Sequence, residues 1–393
     1  MLKRKIFGSL VQLYVTGKCG MGCDHCSSRG IAMDDINMET FESAVKFLTG
    51  QGVERIELFA NDPLLHPEVF TFIEVMEKSA LNSWGLLTVG RGRTDQQIEE
   101  RFLSILPKIA KGKGSVVLSV DYARETAERL LVEDQTNSYA FKAKVFWDFA
   151  RYFKNMGVRV RINTVASRHN VDEVPEIIRE VVAYGFASSF CFTQNRDPMF
   201  DRLAQNGFDT ETEKNFREFL MRSRILTVTE IEHVLDRAYA IVRNGELESR
   251  PGFASPFNRF RGKDRTEGNI PEKLVWLRNQ LMQLKSLYPD KILPSPEFIH
   301  GFGNRGFGCL KLLRQGVFPQ IKIGSNGQIF FCCDMHDPLT GEFNIHNLRQ
   351  SGYTEKLAEA IRTNPYVWLC ADFNACDFSV NHVQYSASSA ERR

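Results

Sequence analysis

The chain has 393 residues, 43% of them apolar and 25% charged, an ordinary globular composition with room for one large domain and a smaller one. Its formal net charge of +2 gives no field that favours nucleic acid, and no apolar run is long enough to span a membrane. The basic start Met1-Leu2-Lys3-Arg4-Lys5 leads into a short, quickly polar stretch rather than a signal peptide, which points to the cytoplasm.

From residue 10 to 193 short apolar strands alternate with helical patterns, the signature of a βα-repeat protein with a parallel sheet. Leu10–Val15 is the first expected strand. Asn37 is placed to cap a helix in which Phe41, Ala44, Val45 and Leu48 share one face, and Gly50 and Gly52 stop it. Ile56–Phe59 is strand two, followed by a helix from Pro67. Further strands are expected near Leu86–Val89, Val116–Val120, Val158–Val165 and Ser189–Thr193. About six such units are too few to close an eight-stranded barrel, so an open, partial barrel is expected. Beyond residue 195, Thr210-x-x-Glu213 and Thr229-x-x-Glu232 have capping-box spacing. Ile231, Val234, Leu235, Ala238 and Val242 keep helical spacing after the second. Pro271 opens another helix carrying Leu274, Leu277, Leu281, Leu284 and Leu287. A hairpin is expected over Gln320–Cys332, around Ser325-Asn326-Gly327.

Cysteines mark the chemistry. Of nine, three crowd into residues 19–26 and five lie at 309, 332, 333, 370 and 376. In a cytosolic chain such clustering reads as metal binding rather than disulfides. Cys19-Gly-Met-Gly-Cys23-Asp-His-Cys26 comes directly after strand one, with spacing C-x3-C-x2-C. Three thiolates this close cap three irons of a cubane and leave the fourth open. A structural zinc site is the alternative, but zinc takes four closed ligands and His25 sits awkwardly between two cysteines.

This loop resembles the signature of the radical S-adenosylmethionine (SAM) superfamily. The resemblance implies a [4Fe–4S] cluster on Cys19, Cys23 and Cys26, whose open iron is chelated by SAM. It also implies reductive cleavage of SAM to a 5′-deoxyadenosyl radical that abstracts hydrogen from substrate, with a reductant such as flavodoxin or ferredoxin as partner. By the same resemblance His25 stands where an aromatic residue packs near the adenine; a solvated loop histidine is the plainer reading.

After strand two, Ala60, Asn61 and Asp62 stand where the family has Gly-Gly-Glu, and the family's downstream His-Pro is retained in Leu65-His66-Pro67. The resemblance assigns the SAM ammonium to this backbone and anchoring to Asp62. A plain Asn-Asp-Pro turn is the alternative. Ser119, in Val117-Leu118-Ser119-Val120-Asp121, resembles the serine that touches ribose or the methionyl end. Arg159, Arg161 and Asn163 share one face of strand five. If that face is inward, Arg161 meets a SAM carboxylate and Asn163 the sugar; if outward, they meet a helix or solvent. Cys191 is either a buried small hydrophobe or a hydrogen-atom donor to a substrate radical.

The later cysteines, around the Gly327-x4-Cys332 hairpin, resemble the auxiliary-cluster modules called SPASM and twitch. The resemblance implies a second [4Fe–4S] cluster on Cys309, Cys332, Cys370 and Cys376, with Cys333 the substitute; structural zinc or ordinary buried cysteines are the alternatives. Gly301–Gly308, rich in glycine and aromatics, reads as a linker.

The expected organisation is α/β: a partial (β/α)6 TIM-like barrel over 1–195, a helical insertion or bridge over 196–300, an auxiliary Fe–S module over 301–380 and a polar tail over 381–393. The expected activity is hydrogen abstraction from a small molecule, leading to oxidation, epimerisation or rearrangement. A peptide substrate is the alternative, disfavoured because strand one begins too early for an N-terminal leader-binding domain. A non-catalytic Fe–S electron carrier is the rival from another class.

Overall fold

The structure is a computed structural model. It describes residues 10–21, 34–59, 61–93, 96–166, 170–192, 210–223, 226–243, 270–294, 296, 299, 321–331, 343–347, 352–363 and 368. Strand and helix alternate as β1 (Leu10–Tyr14), α1 (Met38–Gly50), β2 (Arg55–Phe59), α2 (Val69–Lys78), β3 (Ser83–Leu87), α3 (Gln96–Lys111) and β4 (Gly114–Ser119). Then come α4 (Arg124–Glu133), α5 (Ser138–Met156), β5 (Val160–Ala166), α6 (Val174–Ala183) and β6 (Ala187–Phe192). All six strands are parallel and pair in chain order, the arrangement that right-handed crossovers give when every helix lies on one side.

Alternation along the strands separates two faces. Val11, Leu13, Ile56, Leu58, Leu86, Val116, Leu118 and Ile162 pack with Phe41, Phe72, Phe102, Phe146 and Ile177 of the helices in one continuous core. The intervening residues, among them Gln12, Glu57, Gly85, Ser115, Arg161 and Asn163, face the other, concave side. The helices start where local chemistry favours it: Asn37 accepts from the Thr40 amide at the head of α1, and Asn137 accepts from those of Tyr139 and Ala140 at the head of α5.

With β7 (Ile321–Ile323) and β8 (Ile329–Phe331), the sheet runs β6-β5-β4-β3-β2-β1-β7-β8, so the barrel is open. The hairpin of β7 and β8 does not form a separate layer. It continues the sheet, with β7 parallel to β1 and β8 antiparallel to β7. Gly327 turns it with φ of 78°, and a Cβ there would fall 2.8 Å from Asn344 Oδ1. At the far edge, Ser188 of β6 bonds Lys291 and Leu293, in the segment after α9 (Ile270–Leu287). Leu277, Leu281 and Leu284 of α9 pack on Val174, Ile178 and Val182 of α6. No described helix is long and apolar enough to cross a membrane.

Two expectations shift. Strand three ends at Leu87, because Thr88 and Val89 are drawn into hydrogen bonds at the strand end. The capping box of α8 (Val228–Arg243) is Thr227-x-x-Glu230, not Thr229-x-x-Glu232. Glu230 Oε2 accepts from the Thr227 amide at 2.8 Å, while Glu232 is engaged by Arg217 of α7 (Thr210–Ser223).

Candidate active site

The C-terminal ends of the parallel strands form a mouth, where chemistry gathers in folds of this kind. The chain leaves β1 at Tyr14 and reaches exposed Cys19 five residues on. That loop is pinned from two sides. Thr16 Oγ1 donates to Asp35 Oδ1 at 2.6 Å and Lys18 Nζ to Asp35 Oδ2 at 2.6 Å. From the end of β2, Asn61 Nδ2 donates to the Thr16 carbonyl at 3.1 Å and the Asp62 amide to the Lys18 carbonyl at 3.0 Å. Asn61 achieves this with φ of 51°, a left-handed conformation that asparagine tolerates better than most residues.

Asp62 is buried, and its carboxylate accepts from the Thr88 hydroxyl at 2.8 and 3.0 Å, from the Leu64 amide at 3.1 Å and from the Val89 amide at 3.2 Å. It therefore ties the end of β2 to the end of β3. Burial raises its pKa from 3.8 to about 6, against the lowering pull of Thr88 and the two amides. A raised carboxyl pKa favours the folded state below about pH 4, and that contribution is lost as the pH climbs through 6. Asp62→Asn is expected to remove about 2–3 kcal/mol of stability decline between pH 4 and 7. Urea midpoints at the two pH values check this; the same pH difference in variant and wild type would refute it.

His66, in the Leu65-His66-Pro67 stretch, is a neutral bolt. Its Nδ1 accepts from the Glu68 amide at 3.0 Å, so Nε2 carries the proton and donates to the Ile36 carbonyl at 3.0 Å. Burial pushes its pKa down. Arg101 Nη1 donates to the Leu64 and His66 carbonyls at 2.7 and 3.0 Å. The turn after β2 and the return of the cysteine loop are thereby locked together.

The concave face carries a charge network that the sequence analysis missed. Glu57 is fully buried. Its Oε1 accepts from Arg55 Nε at 3.0 Å and Arg161 Nη1 at 2.9 Å, and its Oε2 from Arg161 Nη2 at 3.1 Å and Gln12 Nε2 at 3.4 Å. Arg55 reaches on to Ser83 at 3.1 Å and Ser115 at 2.8 Å. Gly85 leaves the room: a Cβ there would stand 2.7 Å from Arg55 Nη2 and 2.9 Å from Glu57 Cγ. The face bearing Arg161 and Asn163 is thus inward, and both terminal nitrogens of Arg161 are committed to Glu57 below the mouth. Asn163 lies one step nearer the mouth, opposite Ser119 on β4, and accepts from Ser189 Oγ at 3.2 Å. A polar residue interrupting the apolar run Ile56-Glu57-Leu58 was the available signal.

A second ion pair secures the rim. Buried Asp121 accepts from Lys142 Nζ at 3.3 Å and from the Val165 amide at 2.9 Å. One helical turn before Lys142, Ser138 Oγ donates to the Met21 carbonyl at 2.6 Å, so α5 braces the cysteine loop directly. Cys191 lies in β6 opposite Val165. Cys23, His25, Cys26, Ala60, Cys309, Cys332, Cys333, Cys370 and Cys376 lie outside the described residues. Three cysteines in one loop are a donor set suited to a cubane, and no described residue stands within 4 Å of where a Gly20 Cβ would point, so the described part of the loop fits such a group.

The open array of six parallel strands is an architecture shared with solved structures. Streptococcus suis SuiB bound to S-adenosylmethionine matches with a TM-score of 0.51 at 12% identity, over 90% of this chain and 68% of that one. Lower scores come from SuiB bound to precursor peptide SuiA (0.44, 12% identity, 92% and 66% of the two chains) and from native anSMEcpe with bound AdoMet and Cp18Cys peptide (0.48, 13% identity, 98% and 99%). The first of these likenesses speaks to fold alone, and the two lower-scoring ones carry no argument. No family model and no curated protein matches the chain.

Proposed function

We propose that this chain is a cytoplasmic radical SAM enzyme that abstracts hydrogen from a small-molecule substrate. The observation that carries the reading is the Cys19 loop, stitched by Asn61 and Asp62 to the end of β2 at the mouth of the open barrel. Cys19, Cys23 and Cys26 would hold the cluster. With SAM bound, that cluster supplies one-electron cleavage of the sulfonium and hence a hydrogen-abstracting radical. The chain's own residues orient and enclose. The loop backbone is fixed from Thr16 to Lys18, and Ser119 and Asn163 lie side by side on the inner face for the sugar or methionyl end. The Arg55–Glu57–Arg161 network fills the face beneath them. The direct role for Arg161 at the SAM carboxylate becomes a supporting one in this reading, because Glu57 holds its fork. A peptide substrate is the second arm of the test.

Cys309, Cys332, Cys370 and Cys376, with Cys333 in reserve, are proposed to hold a second cluster. Support comes from the hairpin, whose β8 ends at Phe331, immediately before Cys332.

Anaerobically reconstituted protein given dithionite and SAM should release 5′-deoxyadenosine, with iron near eight per chain for two clusters and about four for one. Brown protein that releases none would be an electron carrier instead. Deuterium transfer into 5′-deoxyadenosine from labelled small-metabolite or peptide pools then separates the two substrate classes.

A further inference from the structure

Two arginines follow β3, and among the described residues only Arg91 has its guanidinium edge filled. Arg91 lies over the Phe149 ring at 5.1 Å. Its Nε and Nη2 grip Glu99 side-on, at 2.7 Å to Oε2 and 3.1 Å to Oε1, and its Nη1 donates to Asp148 at 3.1 Å. Arg93 repeats this arrangement without the carboxylate. It lies over Phe141 at 5.1 Å, and its Nη1 donates to the Gln135 carbonyl at 2.9 Å. Its Nε and Nη2 are buried and find no hydrogen-bond partner among the described residues. Those two N–H groups form the edge that takes a carboxylate or phosphate in parallel bonds. Burying them unmatched is costly unless something arrives to accept.

Its position points to an incoming molecule. Arg93 lies six residues past the end of β3, at the rim. Phe141 belongs to the first turn of α5, three residues from the Ser138 that touches Met21 in the cysteine loop. The positive end of the α5 helix dipole adds to the field there. Asp134, an acid near it among the described residues, is exposed and tied to the hydroxyl and amide of Thr136 at 2.6 and 2.8 Å. Its pKa is held down by Thr136 first and by Arg93 least.

We propose that Arg93 anchors the substrate by an oxyanion, so that the molecule entering the barrel carries a carboxylate or phosphate. This deepens the proposed function and rests on it only for treating the mouth as the substrate's entry.

The test uses the full, cluster-loaded chain and the variants Arg93→Gln and Arg93→Lys, with inorganic phosphate and acetate as probes titrated by thermal shift. The wild type should bind at least one probe, and Arg93→Gln should weaken it about tenfold. Arg93→Lys should fall nearer to Arg93→Gln than to wild type, since an ammonium cannot offer two parallel N–H groups. SAM affinity is measured separately and should be the same in all three. Probes that bind wild type and Arg93→Gln alike, or a wild type that takes neither probe, overturn the proposal. So does a matching loss of SAM affinity, which would give the edge to the cofactor. Because probe binding does not depend on SAM cleavage, a failure of the radical SAM reading would be read separately.

Discussion

Replacing Cys19, Cys23 or Cys26 by alanine is expected to reduce 5′-deoxyadenosine formation to background, whichever of the three is changed. Three protein thiolates are the minimum that holds a cubane while leaving one iron for SAM, so no member is redundant. The loop itself should survive the change at Cys19. Its backbone is held by Thr16, Asp35, Asn61 and Asp62, and none of those bonds uses the cysteine side chain. Unfolding midpoints of the metal-free variants should therefore match the metal-free wild type, while iron content and the brown absorbance fall. Equivalent changes at Cys309, Cys332, Cys370 or Cys376 should spare SAM cleavage and remove only the iron of the proposed second cluster. An alanine at any of the first three positions that retained SAM cleavage would end the assignment.

The second large effect is on stability. Glu57→Leu is expected to cost about 3–5 kcal/mol, because it leaves two inward guanidiniums without their shared counter-charge. Removing Arg161 as well, in Glu57→Leu/Arg161→Leu, should recover part of that loss, and the non-additivity measures the pair. The same network predicts an acid limb. Burial would raise the Glu57 pKa, but Arg161 and then Arg55 outweigh it, and the value falls from 4.5 to about 2. A depressed carboxyl pKa contributes stability in full above about pH 4.5 and loses it as the pH falls toward 2, about 3 kcal/mol in all. Denaturant midpoints between pH 5 and 2.5 should drop more steeply for wild type than for the double variant. Parallel curves would mean that the network contributes nothing to the folded state. This window overlaps the lower end of the one in which Asp62 titrates with opposite sign, so running the series in wild type and in Asp62→Asn separates the two.

Much of the framework was legible because periodicity reports burial. The strands sit within a few residues of their expected places, and Asn37 caps α1 as its spacing implies. The capping box of α8 was misplaced by two residues because Thr227-x-x-Glu230 and Thr229-x-x-Glu232 have identical spacing; only the position of Arg217 shows which glutamate is engaged elsewhere. At the site, the resemblance assigns Asp62 an anchoring role; what no local pattern shows is that the fold also brings Thr88 and two amides to its carboxylate and ties two strand ends through it.

By itself, the sequence determined the βα alternation, which residues of a strand share a face and the grouping of three thiolates after β1. These are local properties, fixed by side-chain period and by spacing of a few residues. Only the tertiary structure decided that Arg161 meets Glu57 across the sheet, on its inner face, that the hairpin joins β1, and that the side-on edge of Arg93, unlike that of Arg91, finds no acceptor among the described residues. Each depends on residues far apart in the chain, whose juxtaposition comes from strand order and register rather than from any pattern within one segment.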